Sequence, residues 1–162
     1  IAIMLSLSFL LMSFTTGGDV GVILNAGTSI NLETVSTIQS DMVVVGQVVD
    51  FRVKTDVKVD NKVVIAAGAI AKGQVVRGQK AKGLGKEGFV EIQIKSVRAV
   101  DGQEVYLSGG NVYQEGDDQQ TLAIVLGVFV CILFLFLKGK NATVPSGFQL
   151  NSSVASTVTI NA

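Results

Sequence analysis

The chain has 162 residues and no formal net charge at neutral pH, with 48% hydrophobic and only 16% charged residues. Such a balance leaves no electrostatic footprint for nucleic acid, and no nucleic-acid partner is expected. With no histidine and a single cysteine, Cys131, an internal disulfide and a Cys/His metal site are excluded, and no cofactor is expected.

Residues Ile1 to Phe14 form an apolar run followed by the small residues Thr15 to Gly18. The run is short for a bilayer span and suits the h-region of a secretory signal. Residues 1–18 therefore read as a signal-like segment whose start methionine and basic n-region are missing. No Leu-x-x-Cys pattern follows, so a lipoprotein anchor is not expected.

Residues 19–118 read as a β-domain. From Gln47 to Thr55, Val49, Phe51 and Val53 alternate with Asp50, Arg52 and Lys54. From Phe89 to Val100, Val90, Ile92 and Ile94 alternate with Glu91, Gln93 and Lys95. A period of two means one buried face and one wet face. Asp60-Asn61 between two valine-rich runs, and Asp101-Gly102 before Glu104 to Leu107, are hairpin signals. Such short connections predict antiparallel pairing, as a Greek-key or meander barrel or sandwich.

A corner motif recurs. Leu24-Asn25-Ala26-Gly27-Thr28-Ser29-Ile30 resembles Val144-Pro145-Ser146-Gly147-Phe148-Gln149-Leu150, and Ile65-Ala66-Ala67-Gly68-Ala69-Ile70 is a shortened relative. In each, a strand end meets a small-residue turn with glycine at the bend.

Thr121 to Leu137 (TLAIVLGVFVCILFLFL) is uncharged, preceded by Asp117 and Asp118 and followed by Lys138 and Lys140. As a helix it would be about 26 Å long, just short of the ~30 Å hydrocarbon core. Residues 119–138 are thus read as a membrane helix. Asp117 and Asp118 would cap its positive N-terminal end, a role preferred over calcium binding with Glu115 because the spacing of a calcium loop is lacking.

Residues 139–162 form a tail in which Phe148, Leu150, Val154, Val158 and Ile160 fall on one face. That pattern is a half-buried strand, and it needs a sheet. A complete span would strand the tail on the far side of the membrane, where Lys138 and Lys140 favour the cytoplasm. A buried, re-entrant or monotopic helix would return it to the β-domain. The full span is the expectation taken here.

Catalytic signals are weak. Gly83-Leu84-Gly85-Lys86-Glu87-Gly88 matches G-x-G-x-x-G, but a strand pattern follows where dinucleotide binding needs a helix. The phosphate-loop pattern fails because Glu87 follows Lys86. Without histidine the usual triads are absent, and no Ser-x-x-Lys occurs. A cell-wall hydrolase or transpeptidase is therefore disfavoured, and the chain is read as no enzyme. The candidate contact residues are Arg77, Lys80, Lys82 and Lys86, a basic stretch able to meet anionic lipid headgroups or glycan, with a solvated loop as the plainer reading.

Along residues 22–108 stand Ala26-Gly27-Thr28-Ser29-Ile30, then Ser40-Asp41 with Gly46 and Val48, then Asn61 to Gly73, then Phe89-Val90-Glu91-Ile92 with Asp101-Gly102-Gln103-Glu104-Val105. In order and spacing these resemble the C-terminal β-barrel domain of TrbI-type conjugation proteins, the envelope scaffold of type IV secretion. The family's Ser-Asp-Leu-Pro-Gly is here Ser40-Asp41-Met42-Val43-Val44-Val45-Gly46, longer and without proline. No long proline-rich arm precedes the domain, and Thr121–Leu137 has the length of one helix where the family has a two-helix antenna. The resemblance implies a related β-fold of the bacterial envelope, as small exported envelope proteins would also have.

The expectation is an exported, membrane-attached β-domain acting as a scaffold or docking module. Its partners would be the lipid bilayer and envelope-assembly proteins or further copies of itself. The alternative is a binding module for anionic glycan or lipid through the Arg77–Lys86 loop.

Overall fold

The computed structural model describes residues 21–82, 86–116 and 139–162. The expected signal at 1–18 and the expected helix at 121–137 lie outside the described residues. Among the described residues no helix is long and apolar enough to cross a membrane.

Among the described residues thirteen strands follow one another: β1 (Val22–Leu24), β2 (Ser29–Thr34), β3 (Ile38–Gln39), β4 (Val48–Val53), β5 (Val57–Val59), β6 (Lys62–Ile65), β7 (Ile70–Gln79), β8 (Phe89–Arg98), β9 (Glu104–Ser108), β10 (Val112–Glu115), β11 (Thr143–Val144), β12 (Gln149–Val154) and β13 (Val158–Ile160). Six of them close a barrel in the order β8, β7, β4, β2, β12, β9, with β9 pairing back onto β8. Every pairing is antiparallel. Closure removes the open edges that would otherwise invite other chains. The long strand β8 serves two neighbours on one side: β9 along Ser96 to Arg98, and β10 along Phe89 to Ile92.

The mainly β, antiparallel barrel is thus the fold expected. Both hairpin signals hold. β5 and β6 join through Asp60 and Asn61, both at positive φ (49° and 64°), which the short polar side chains of these two residues tolerate. β8 and β9 join through Asp101-Gly102, with Gly102 at φ 88°. Alternation puts Val49, Phe51, Val53, Val90, Ile92 and Ile94 inside. Phe51 is wholly buried and lies over Gly73, where a Cβ would sit 2.6 Å from its ring. The core needs a bare backbone at that point. The alternation of β8 breaks near Ser96 and Val97, both buried, opposite a register shift at Lys72/Gly73.

The corner motif is one structural unit used repeatedly. In each copy the residue after glycine closes a turn, and glycine donates its amide to a neighbouring strand. Gly27 donates to Val154 O and Gly147 to Thr34 O, both at 2.8 Å; Gly68 donates to Val53 O, again at 2.8 Å. A fourth corner, Val43 to Val48, has the same form: Gly46 donates to Val75 O at 2.8 Å, and Gln47 N closes on Val44 O at 3.0 Å. All four glycines have φ between 77° and 91°, a region unfavourable for any side chain.

Two of these corners open copies of a longer unit. Val22–Asp41 and Ala142–Asn161 align without a gap, with Gly27/Gly147, Asn31/Asn151, Ser36/Ser156 and Thr37/Thr157 identical. The copies embrace: β2 pairs with β12, β1 with β13 and β3 with β11. Ala26 N donates to Thr157 Oγ1 at 3.1 Å, and Ser146 N donates to Thr37 Oγ1 at 3.3 Å, the same contact made from each side.

Residues 139–162 are therefore built into the barrel wall. This corrects the expectation of a tail separated from the β-domain; the expected span itself lies outside the described residues. β12 lies between β2 and β9, and Gly116 and Gly139 both lie against the β7–β8 loop. The physical reason is the one the tail's alternation implied: a half-buried strand is stable only on a sheet.

Candidate functional site

The basic stretch lies where β7 passes into β8. Arg77 is on the β7 surface, not in the loop. Its Nε donates to Glu91 Oε2 at 2.6 Å, and its Nη2 lies 2.5 Å from the same oxygen. Glu91 is mostly covered, so Arg77 chiefly neutralises a neighbouring strand. Lys80, Lys82 and Lys86 are exposed.

This loop is stapled to both sides of the segment 117–138. Gly88 N donates to Lys140 O at 2.9 Å, and Gly116 N donates to Gly88 O at 2.8 Å. Gly139 N donates to Lys82 O at 3.2 Å, and Ala81 N donates to Asn141 Oδ1 at 2.9 Å. Gly116 itself lies against the Lys140 carbonyl, closer than any Cβ would allow. Departure and return thus adjoin on one loop, and Lys140 joins Lys80, Lys82 and Lys86 there. Sequence reasoning used Lys140 only as a marker of topology. The half-buried pattern of the tail was the signal that could have brought it back.

Acidic groups share this end: Asp41, Glu87 and Glu115. An open cleft nearby is lined by Arg77, Gln79, Lys86, Glu87, Phe89, Tyr113 and Glu115. Phe89 and Tyr113 stand with ring centroids 6.3 Å apart. The Tyr113 hydroxyl donates to the Glu115 carboxylate, and this bond pushes the phenol above its ordinary pKa. The fold thus brings an aromatic pair beside Arg77 and Lys86, although no aromatic residue lies within the basic stretch. The signal missed was the pairing of β10 with β8, which sets Tyr113 opposite Glu91.

Among the described residues no group of three or more Asp, Glu, Cys or His side chains is placed to hold a metal ion. Every buried side-chain nitrogen or oxygen among them has a hydrogen-bond partner.

No family model matches the chain, and no curated protein matches it. Among solved structures, the chain is similar to ComB10 of the Com type IV secretion system of Helicobacter pylori, at 13% identity and a TM-score of 0.47, over 85% of this chain and 90% of that one.

Proposed function

We propose that this chain is a non-enzymatic β-barrel module of the bacterial envelope, attached to a membrane through Thr121–Leu137. It acts as a scaffold or docking unit for envelope-assembly proteins or further copies of itself. One observation carries the reading: the residues on either side of 117–138 are tied to one loop of the barrel, with β10 paired on β8 before the segment and β12 in the wall after it. An apolar segment rooted at both ends in a rigid wall holds the barrel at a fixed place on a bilayer. The exported location, with residues 1–18 as a cleaved signal, belongs to the same proposal.

The test is replacement of residues 119–138 by a short Gly/Ser linker, for which the adjoining roots leave room. The expected product keeps its strand signal in circular dichroism and is recovered in aqueous buffer, whereas the parent chain sediments with membranes. A product that still requires detergent, or a parent chain that never did, overturns the attachment.

A second reading, contact with anionic glycan, is favoured by the cleft that sets Phe89 and Tyr113 beside Arg77 and Lys86. An aromatic face next to a cation suits a sugar ring bearing a carboxylate or phosphate. Binding of soluble peptidoglycan fragments that is lost on Tyr113→Ala and weakened by replacing Arg77, Lys80, Lys82 and Lys86 with glutamine would support it. Unchanged binding in both variants would remove it.

A further inference from the structure

We infer that the β3–β4 loop lies in the boundary between headgroups and hydrocarbon of the bilayer, with Met42, Val44 and Val45 as its inserted side chains. The inference rests on the membrane attachment proposed above and adds a second contact to it.

The four glycine corners share one backbone geometry and differ at their tips. The two residues before each glycine are Asn25-Ala26, Ala66-Ala67 and Pro145-Ser146, all polar, small or turn-forming. The fourth corner has Val44-Val45. β-branched aliphatic residues are poor turn formers, so the turn does not call for them. Nor does the core use them. Met42 is 75% exposed and Val44 70%, the two most exposed large apolar side chains among the described residues; Val45 is 58% exposed, as is Val48 where β4 begins. So many exposed aliphatic groups in one loop mark a contact surface.

The loop is held open. Val44 N donates to Gln47 Oε1 at 3.1 Å, Gln47 N to Val44 O at 3.0 Å, and Met42 N to Gln39 O at 3.1 Å. With Gly46 fixed on Val75, the valines cannot fold back into the core.

Its position names the occupant. Ser40, just before the loop, donates its amide to Ala142 O at 3.0 Å, and Ala142 N donates back to Ser40 Oγ at 3.1 Å. A Cβ on Gly88 would come within 2.5 Å of the same Ser40 oxygen. Gly88 is the residue that holds both Gly116 and Lys140. The aliphatic loop therefore stands beside the roots of the apolar segment, and a bilayer entered by that segment lies within its reach. Lys80, Lys82, Lys86 and Lys140 can lay their stems on the apolar surface and keep their ammonium groups among the headgroups. Asp41, Glu87 and Glu115 nearly balance them, so the contact should be as good on zwitterionic as on anionic lipid.

The chain has no tryptophan, so one introduced residue reports alone. Val44→Trp and Val45→Trp probe the loop. Val100→Trp probes an exposed site past the far end of β8, whose ten residues extend about 30 Å from Gly88. Each full-length variant is floated with phosphatidylcholine vesicles, with and without phosphatidylglycerol, carrying plain or brominated acyl chains. Co-flotation reports attachment, and quenching by bromine reports the loop. The expected result is co-flotation of all variants, at least about twofold quenching of V44W and V45W in both lipid mixtures, and no quenching of V100W. Variants that float while V44W and V45W stay unquenched overturn the inference and leave the attachment standing. A concentration-dependent blue shift of V44W without lipid gives the loop to a second copy and also overturns it. A chain that does not float at all overturns the attachment and this inference together.

Discussion

The two embracing copies, Val22–Asp41 and Ala142–Asn161, have the same path and different interiors. In the first, Leu32 is wholly buried and Thr34 is the buried hydroxyl. In the second the order is reversed: Ser152 is the buried hydroxyl, and Val154 supplies the apolar bulk. Thr34 Oγ1 donates to Pro145 O at 2.6 Å and accepts from Phe148 N at 2.9 Å, binding the opposite corner. Ser152 Oγ lies 3.2 Å from both Ser108 O and Gly109 O, binding the β9 side. The shared path comes from the glycine corner and the period-two burial. The interior answers to whichever neighbour each copy meets, so the symmetry resides in the backbone and not in the packing.

If that is right, exchanging interior residues between copies should be costly even where the backbones agree. Leu32→Ser should destabilise by about 2–5 kcal/mol, as large-to-small core changes do, with an added unpaired hydroxyl. Urea unfolding monitored by circular dichroism measures it. The reverse change, Ser152→Leu, should also destabilise, by about 1–3 kcal/mol, because Gly110 already approaches Ser152 closely and leaves no room. Two nearly neutral exchanges would show the copies to be interchangeable inside as well as outside.

Changes at the shared backbone should act equally in both copies. Gly27→Ala and Gly147→Ala should each cost about 1–2 kcal/mol, since both glycines hold positive φ and a Cβ meets no clash in either place. A large difference between them would mean that one corner sets the fold and the other follows. Thr37→Val and Thr157→Val remove the mirrored acceptors of Ser146 N and Ala26 N. Each should cost about 0.5–1 kcal/mol, the lower part of the usual range because both bonds are exposed.

Much of this was legible in the residues. The strands of Gln47–Thr55 and Phe89–Val100, the Asp60-Asn61 and Asp101-Gly102 hairpins and the kinship of the 24–30 and 144–150 corners are local signals. Alternation and turn chemistry express them directly. The fourth corner was hidden because Val43-Val44-Val45-Gly46 reads as a strand rather than a turn. The bulge at Lys95, beside Ser96, was hidden because an extra residue leaves no mark on composition. At the candidate surface the lysines were legible, but their company was not. The Arg77–Glu91 pair depends on the β7–β8 register, and Tyr113 and Lys140 arrive only through pairing of distant strands. Whether the tail joins the β-domain was likewise a question of closure. A charge rule pointed one way, and a strand's need for a sheet pointed the other.

The smallest effect expected lies where the second copy alone carries a titratable tie. Its last residues are held by Asp101, whose carboxylate accepts from Asn161 N at 3.1 Å, Gln103 N at 3.0 Å and Gln103 Nε2 at 3.0 Å. Slight burial pushes this carboxyl up. The hydrogen bonds from Gln103 and Asn161 outweigh it and hold the group below the ordinary aspartate value. A folded pKa below the unfolded one gives stability that is present above the unfolded value and lost as pH falls through the folded one. Because the group is exposed, the contribution is small. The chain should therefore unfold at lower urea near pH 3 than at pH 7 by slightly more than Asp101→Asn does, and the gap between the two proteins should narrow in acid. Parallel curves for Asp101→Asn and the parent chain would show that the tail is held by its strand pairing alone.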